Sequence, residues 1–226
     1  MHVTLLELIA ANAALVGTHF VMSHPLRAVL VRSLGDIGFQ IIYSLVSLAT
    51  LAWVYFAFKA ALPGDLPGSG EIGWAIATFL TLPAMVLFAG SLIGNPAMPT
   101  PMAESQARAE PKGVFRVTRH PMMWGFALWA LSHMVLLASM RTMITAFAMG
   151  TLALVGSHMQ DRKKEALMGE AWEQWESQTS FWPRWGAIFS VGALPWTVGL
   201  ILFVFLSWAH LPIAGIPAGI WRWFMI

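Results

Sequence analysis

The stretch "RVTRHPMMWGFALWALSHM", residues 116–134, carries the residues best suited to chemistry in this chain. Arg116, Arg119 and His120 sit at the mouth of an apolar run, and His133 lies thirteen residues beyond His120. Pro121 suits the first turn of a helix, which makes His120 its cap. On a helix, thirteen residues carry His133 about 20 Å along and about 140° around from His120. The two imidazoles therefore cannot share one metal ion. His133 has no charged residue within seven positions on either side. A neutral imidazole at such a position needs a hydrogen-bond acceptor or a metal. Cysteine is absent, so thiolate ligands, disulfides and a thiol nucleophile are excluded. That residue supply makes bis-imidazole haem the metal chemistry it suits best. The competing reading of His133 is a hydrogen bond between helices.

These residues need a scaffold, and composition supplies its class. Hydrophobic residues make up 58% of the 226 and charged residues 11%, against about 45–50% and about 25% in soluble domains. Apolar runs cover about 3–22, 38–62, 72–94, 121–139, 142–159 and 188–211. Each approaches the roughly 20 residues that a membrane-spanning helix needs. The fifth is the shortest. The expected fold is all-α: a single polytopic membrane bundle over 1–226, with about six transmembrane helices and one interfacial helix. The interfacial helix is read from "DRKKEALMGEAWEQWESQTSFWP", with Trp172 and Trp175 on one side.

The connections after runs one, three and five hold ten of the thirteen basic residues. The positive-inside rule then puts these connections in the cytoplasm and both termini in the periplasm of a bacterial inner membrane. "MHVTLLEL" lacks the basic region of a signal peptide, so run one is expected to be retained. A net charge of +2 without a basic stripe excludes nucleic acid as a partner. Membrane lipids are the expected surroundings.

Polar residues inside the runs are candidates for function. Asn12 and His19 share one face of run one. Gln40, Ser44 and Ser47 form a stripe in run two that suits interhelical hydrogen bonds. His2 and His210 fall near the periplasmic side, and His24 and His158 at cytoplasmic helix ends. Asp161 and Arg162 are expected to pair with each other or cap helices.

The block "GVFRVTRHPMMWGFALWALSHM", then "DRKK" with "GEAWEQWESQTSFWP", then "HLPIAGIP", resembles the NnrU family, which also contains the 15-cis-ζ-carotene isomerases. "GTHFVMSHPLRAVLVRSLGDIGFQIIYSLVSL" resembles the family's opening. The isomerase resemblance implies haem b held by two axial histidines, at positions matching His19 and His133. It implies rotation of a cis double bond in a lipid-soluble polyene without net redox change. NnrU proper implies a link to denitrification and to a membrane nitric oxide reductase complex. Asn12 would then orient His19, while Arg116, Arg119 and His120 would hold haem propionates or lipid headgroups. On this topology His19 lies near the cytoplasmic end of run one and His133 deeper, so His120 is the better depth match for His19.

Two further functions follow from the same residues. One is a non-haem assembly factor for a membrane complex. The other is an S-adenosylmethionine-dependent methyltransferase, since the Arg-His-Pro block also resembles the isoprenylcysteine and phospholipid membrane methyltransferases. The sequence departs from their pattern, with Gly113–Val114–Phe115 before the block and Trp172 and Trp175 after it.

Overall fold

The computed structural model describes residues 3–224; His2 lies outside them. All the long elements are helices: α1 (Val3–Ser23), α2 (Arg27–Ala60), α3 (Gly70–Gly90), the short α4 (Ala103–Ala107), α5 (Pro121–Val135), α6 (Met140–Met168), α7 (Glu170–Gln178), α8 (Ala193–Ala214) and the short α9 (Trp221–Phe224). Single 3-10 turns occupy Gly113–Arg116 and Trp185–Ser190. The long helices pack in the order α2, α1, α6, α5, α3, α8.

Five helices are long and apolar enough to cross a membrane: α1, α2, α3, α6 and α8. The sequence count of six differs at α5. At 1.5 Å per residue its 15 residues reach about 22 Å, short of the roughly 30 Å hydrocarbon core. The apolar run continues to 139, but Leu137 takes a positive φ of 46°. The carbonyls of Leu136, Leu137 and Ala138 then accept N–H groups of Ser69, Gly68 and Leu66 instead of continuing the helix. Run five, expected to be the shortest, is the first part of the 29-residue α6.

The helix α2 breaks at Gly35, whose φ of 72° suits a residue without Cβ. The break leaves Arg27 on a separate first segment. Residues 160–168 prolong α6 rather than starting a new helix. Gly169 (φ 52°) then turns the chain, and α7 folds back on the protein. Trp172 and Trp175 do share one side, but that side faces the interior. They are 0% and 2% exposed, and Trp175 meets Phe115 edge-on at 5.5 Å. Trp182 is the exposed one.

The antiparallel order gathers the three basic connections at one end of the bundle. There the backbone N–H of Arg119 donates to Ser180 (2.8 Å), and that of Arg184 donates to Val117 (2.8 Å). The opposite end closes with the 66–69 bonds to 136–138 and the Arg222–Glu71 ion pair.

Glycine sets the closest helix contacts. A Cβ at Gly199 of α8 would lie 2.7 Å from the Cα of Val86 in α3. Backbone cannot yield as a side-chain end can, so Gly199→Leu is expected to cost about 1–3 kcal/mol. Thermal unfolding in detergent measures it. Gly17→Leu, where a Cβ meets nothing within 4 Å, is the comparison and should stay near wild type.

Candidate functional site

The Arg-His-Pro block forms a buried ion cluster. Asp161, in the extension of α6, is its centre. Arg119 donates from Nε (3.0 Å) and Nη2 (2.7 Å) to Asp161 Oδ2. His120 Nε2–H donates to Asp161 Oδ1 at 2.7 Å. Arg119 also meets Glu176 of α7 at 3.0 Å. The His120 ring is fully buried, stands edge-on to Phe181, and has no partner for Nδ1 among the described residues. Thr118 Oγ1 and Trp124 Nε1 both donate to the Phe181 carbonyl. The block is thus stitched to residues 179–184 at every turn. Asp161 pairs with Arg119 and His120, not with its neighbour Arg162. Adjacent helical residues point in different directions, so the sequence did carry the signal against an Asp161–Arg162 pair. Arg116 lies outside the cluster, exposed, with its Nε 3.4 Å from the Pro111 carbonyl.

Burial of Glu176 works against its ion pair with Arg119. Desolvation raises its pKa above the ordinary carboxylate value, and Asp161 and Glu165 add to this while Arg119 opposes it.

His19 lies elsewhere, on α1. Its Nδ1 is 2.8 Å from the Leu15 carbonyl, one turn back. A carbonyl only accepts, so Nδ1 carries a proton, and in the neutral ring the lone pair is on Nε2. The ring stands edge-on to Tyr43 of α2 at 5.3 Å. It lines a cavity of about 370 Å³ between α1, α2, α5 and α6, with Met123, Phe126 and Met149 among its walls. Asn12 does not orient His19. Its Nδ2 donates to Leu8 (2.9 Å) and its side chain lines a different recess.

His133 faces the other way. It lines a cavity of about 170 Å³ between α3, α5 and α8. Its Nδ1 is likewise tied to its own helix, 2.9 Å from the Trp129 carbonyl. Trp129 of the same helix packs on its ring at 4.4 Å, and His210 of α8 stands across the cavity with centroids 6.2 Å apart. His210 repeats the pose, its Nδ1 2.8 Å from the Leu206 carbonyl. The structure therefore brings His133 to His210 and brings neither His133 nor His120 to His19. One metal would need two nitrogens within about 4 Å, from two bonds of about 2 Å. On α5 the walls of the His19 cavity end at Phe126, and His133 lies roughly 10 Å further along the helix. Among the described residues no three His, Asp or Glu side chains converge as a metal site.

Sequence reasoning missed His210, Tyr43 and three cations near His19. Arg27, Lys163 and Lys164 line a second recess of about 340 Å³ that shares Ser23, Tyr43, Gln160 and Lys163 with the His19 cavity.

The family model described as NnrU protein matches residues 7–218. No curated protein and no solved structure matches the chain.

Two outcomes follow from the ion cluster. Asp161→Asn leaves Arg119 and His120 without their shared anion, and is expected to cost about 3–5 kcal/mol in thermal or denaturant unfolding. Glu176 governs a milder pH effect. Its folded pKa is raised, so its contribution is full below the unfolded carboxylate value and is lost as pH rises through the folded one. Glu176→Gln should flatten the melting temperature across that window, relative to wild type.

Proposed function

The chain belongs to the NnrU family, and we propose that it is a membrane protein that binds haem b through His19. The observation that carries this reading is the pose of His19. Its Nδ1 proton is fixed on the Leu15 carbonyl, so the lone pair of Nε2 is offered from a side chain that lines the largest histidine cavity described. Ligating histidines are held in this way by a hydrogen bond on the other ring nitrogen.

The residues present fit haem with His19 as one ligand, and do not fit it with His19 and His133 as a pair on one iron. The donor set around His19 includes the thioethers of Met123 and Met149, and its continuation holds Arg27, Lys163 and Lys164. Histidine and methionine are both axial ligands of haem iron. Tyr43 packs edge-on against the His19 ring. Phe20, Phe126 and Leu152 supply apolar walls. Bound haem would supply an iron centre able to ease rotation about a cis double bond of a conjugated polyene such as ζ-carotene. The family's other setting, maturation of a membrane nitric oxide reductase in denitrification, is the second role we propose for a protein with this site. His120 is committed to Asp161, which leaves a methyltransferase without the histidine it would use.

The same proposal sets the basic end in the cytoplasm of a bacterial inner membrane, with α5 as a short sixth membrane helix and α7 at the interface.

An optical spectrum of protein purified from haem-replete cells tests the reading. The expected result is a Soret band with sharp reduced α and β bands, lost in His19→Ala and kept in His133→Ala. Equal loss in both variants would restore His133 as a ligand of the same iron. A colourless wild-type protein that takes up no added haem ends the haem reading.

A further inference from the structure

The recess beside the His19 cavity poses an electrostatic problem. Arg27, Lys163 and Lys164 all line it, with Gln40, Ser44 and Tyr43. Lys164 is 7% exposed, and its Nζ donates to the Pro96 carbonyl at 3.0 Å. An ammonium has three donors, and a carbonyl supplies no charge. Among the described residues, neither lysine has a carboxylate within ion-pair distance. Arg27 has only Asp36, at 3.7 Å, whose side chain is 71% exposed. Three cations drawn together and partly desolvated repel one another, and burial of unpaired charge is costly. An anion seated among them removes both penalties.

The recess is also not closed. It shares Ser23, Tyr43, Gln160 and Lys163 with the apolar His19 cavity. The two spaces therefore adjoin, a mainly apolar body beside a cationic end, with Lys163 lining both. Basic pockets between membrane helices on the basic side are built to take acidic groups.

We propose that Arg27, Lys163 and Lys164 form the acid-binding end of the His19 cavity, so that its occupant is a lipophile bearing a carboxylate or phosphate. The inference rests on the cavity assigned above, and it reaches beyond haem. Haem carries two carboxylates and qualifies; a fatty acid or an acidic lipid qualifies equally. A hydrocarbon polyene offers the cations nothing, so this end of the space is not built for it. Lys163 is central, because it borders both halves.

The test compares acids with their neutral counterparts on the intact, detergent-purified protein. Haem is titrated against its dimethyl ester by absorbance, and oleate against oleyl alcohol by calorimetry. Each acid should bind at least about tenfold tighter than its neutral partner, the effect of one or two charge-assisted hydrogen bonds. Lys163→Gln should shrink that ratio, and Lys163→Arg should restore it. The wild-type comparison needs no variant to fold. Haem preferred over its ester supports both the acid-binding end and the haem reading. No haem binding with oleate preferred over oleyl alcohol keeps the acid-binding end and removes haem. Equal binding of acid and neutral forms in every pair that binds, or binding of none of the four, overturns the inference.

Discussion

The carboxylate of Asp161 is the constraint on which the rest of the basic end depends. It stands where α6 leaves the apolar part of the bundle, and it holds Arg119 and His120 with all its short contacts on two side chains. Those two residues immediately precede α5. One anion thus fixes the start of α5 against the end of α6. Arg119 reaches on to Glu176 of α7, which brings α7 and its two buried tryptophans onto the same cluster. His120 is fully buried and Asp161 nearly so, while Arg119 and Glu176 stay partly exposed at the edge of the cluster. Charges this deep persist only when matched in number and geometry.

The fixed start of α5 then divides the interior. Met123 and Phe126, in its first turns, face α1 and α6 and wall the His19 cavity. Trp129 and His133, further along, face α3 and α8. A short helix cannot serve one cavity along its whole length when its neighbours differ on each side. His120 and His133 therefore have separate work: one ties helices at the basic end, and the other lines a separate chamber with His210. His120 caps the helix with a non-helical backbone, and His133 lies about 10 Å deeper than Phe126 on nearly the same face, so depth along α5 is what separates their partners.

The sequence carried the helices, the basic end and the deep polar residues, because these depend on hydropathy, charge and helical period. His19 does line a cavity, as its place in an apolar run suggested. Partners separated along the chain were not legible. Asp161 and His120 are 41 residues apart, and no periodicity links them. Arg27 meets Lys163 and Lys164 only because Gly35 breaks α2 and α6 runs on past its apolar part. The inward side of α7 was hidden for a different reason. Two tryptophans on one helical face suit a lipid interface and a protein interior equally well. The early end of α5 was hidden in turn, since residues 136–139 are apolar yet spend their carbonyls on another segment.

Three histidines in the apolar helices share one device. His19, His133 and His210 each have Nδ1 within 2.9 Å of the carbonyl four residues back. That bond satisfies one nitrogen inside the helix itself and fixes the tautomer of the neutral ring, which then has its lone pair on Nε2. What differs is the surroundings. His133 and His210 face each other across a small chamber, where each ring already has an imidazole for a neighbour. His19 stands at the wall of a larger space that ends in three cations. A lone pair that binds metal and a cationic recess that binds acid select for different parts of a ligand. Their meeting in adjoining recesses that share Lys163 favours a ligand that carries both parts, an apolar body with a metal or polarisable centre and an acidic edge. That combination of demands, more than any single residue, distinguishes the His19 cavity from the other recesses of the bundle.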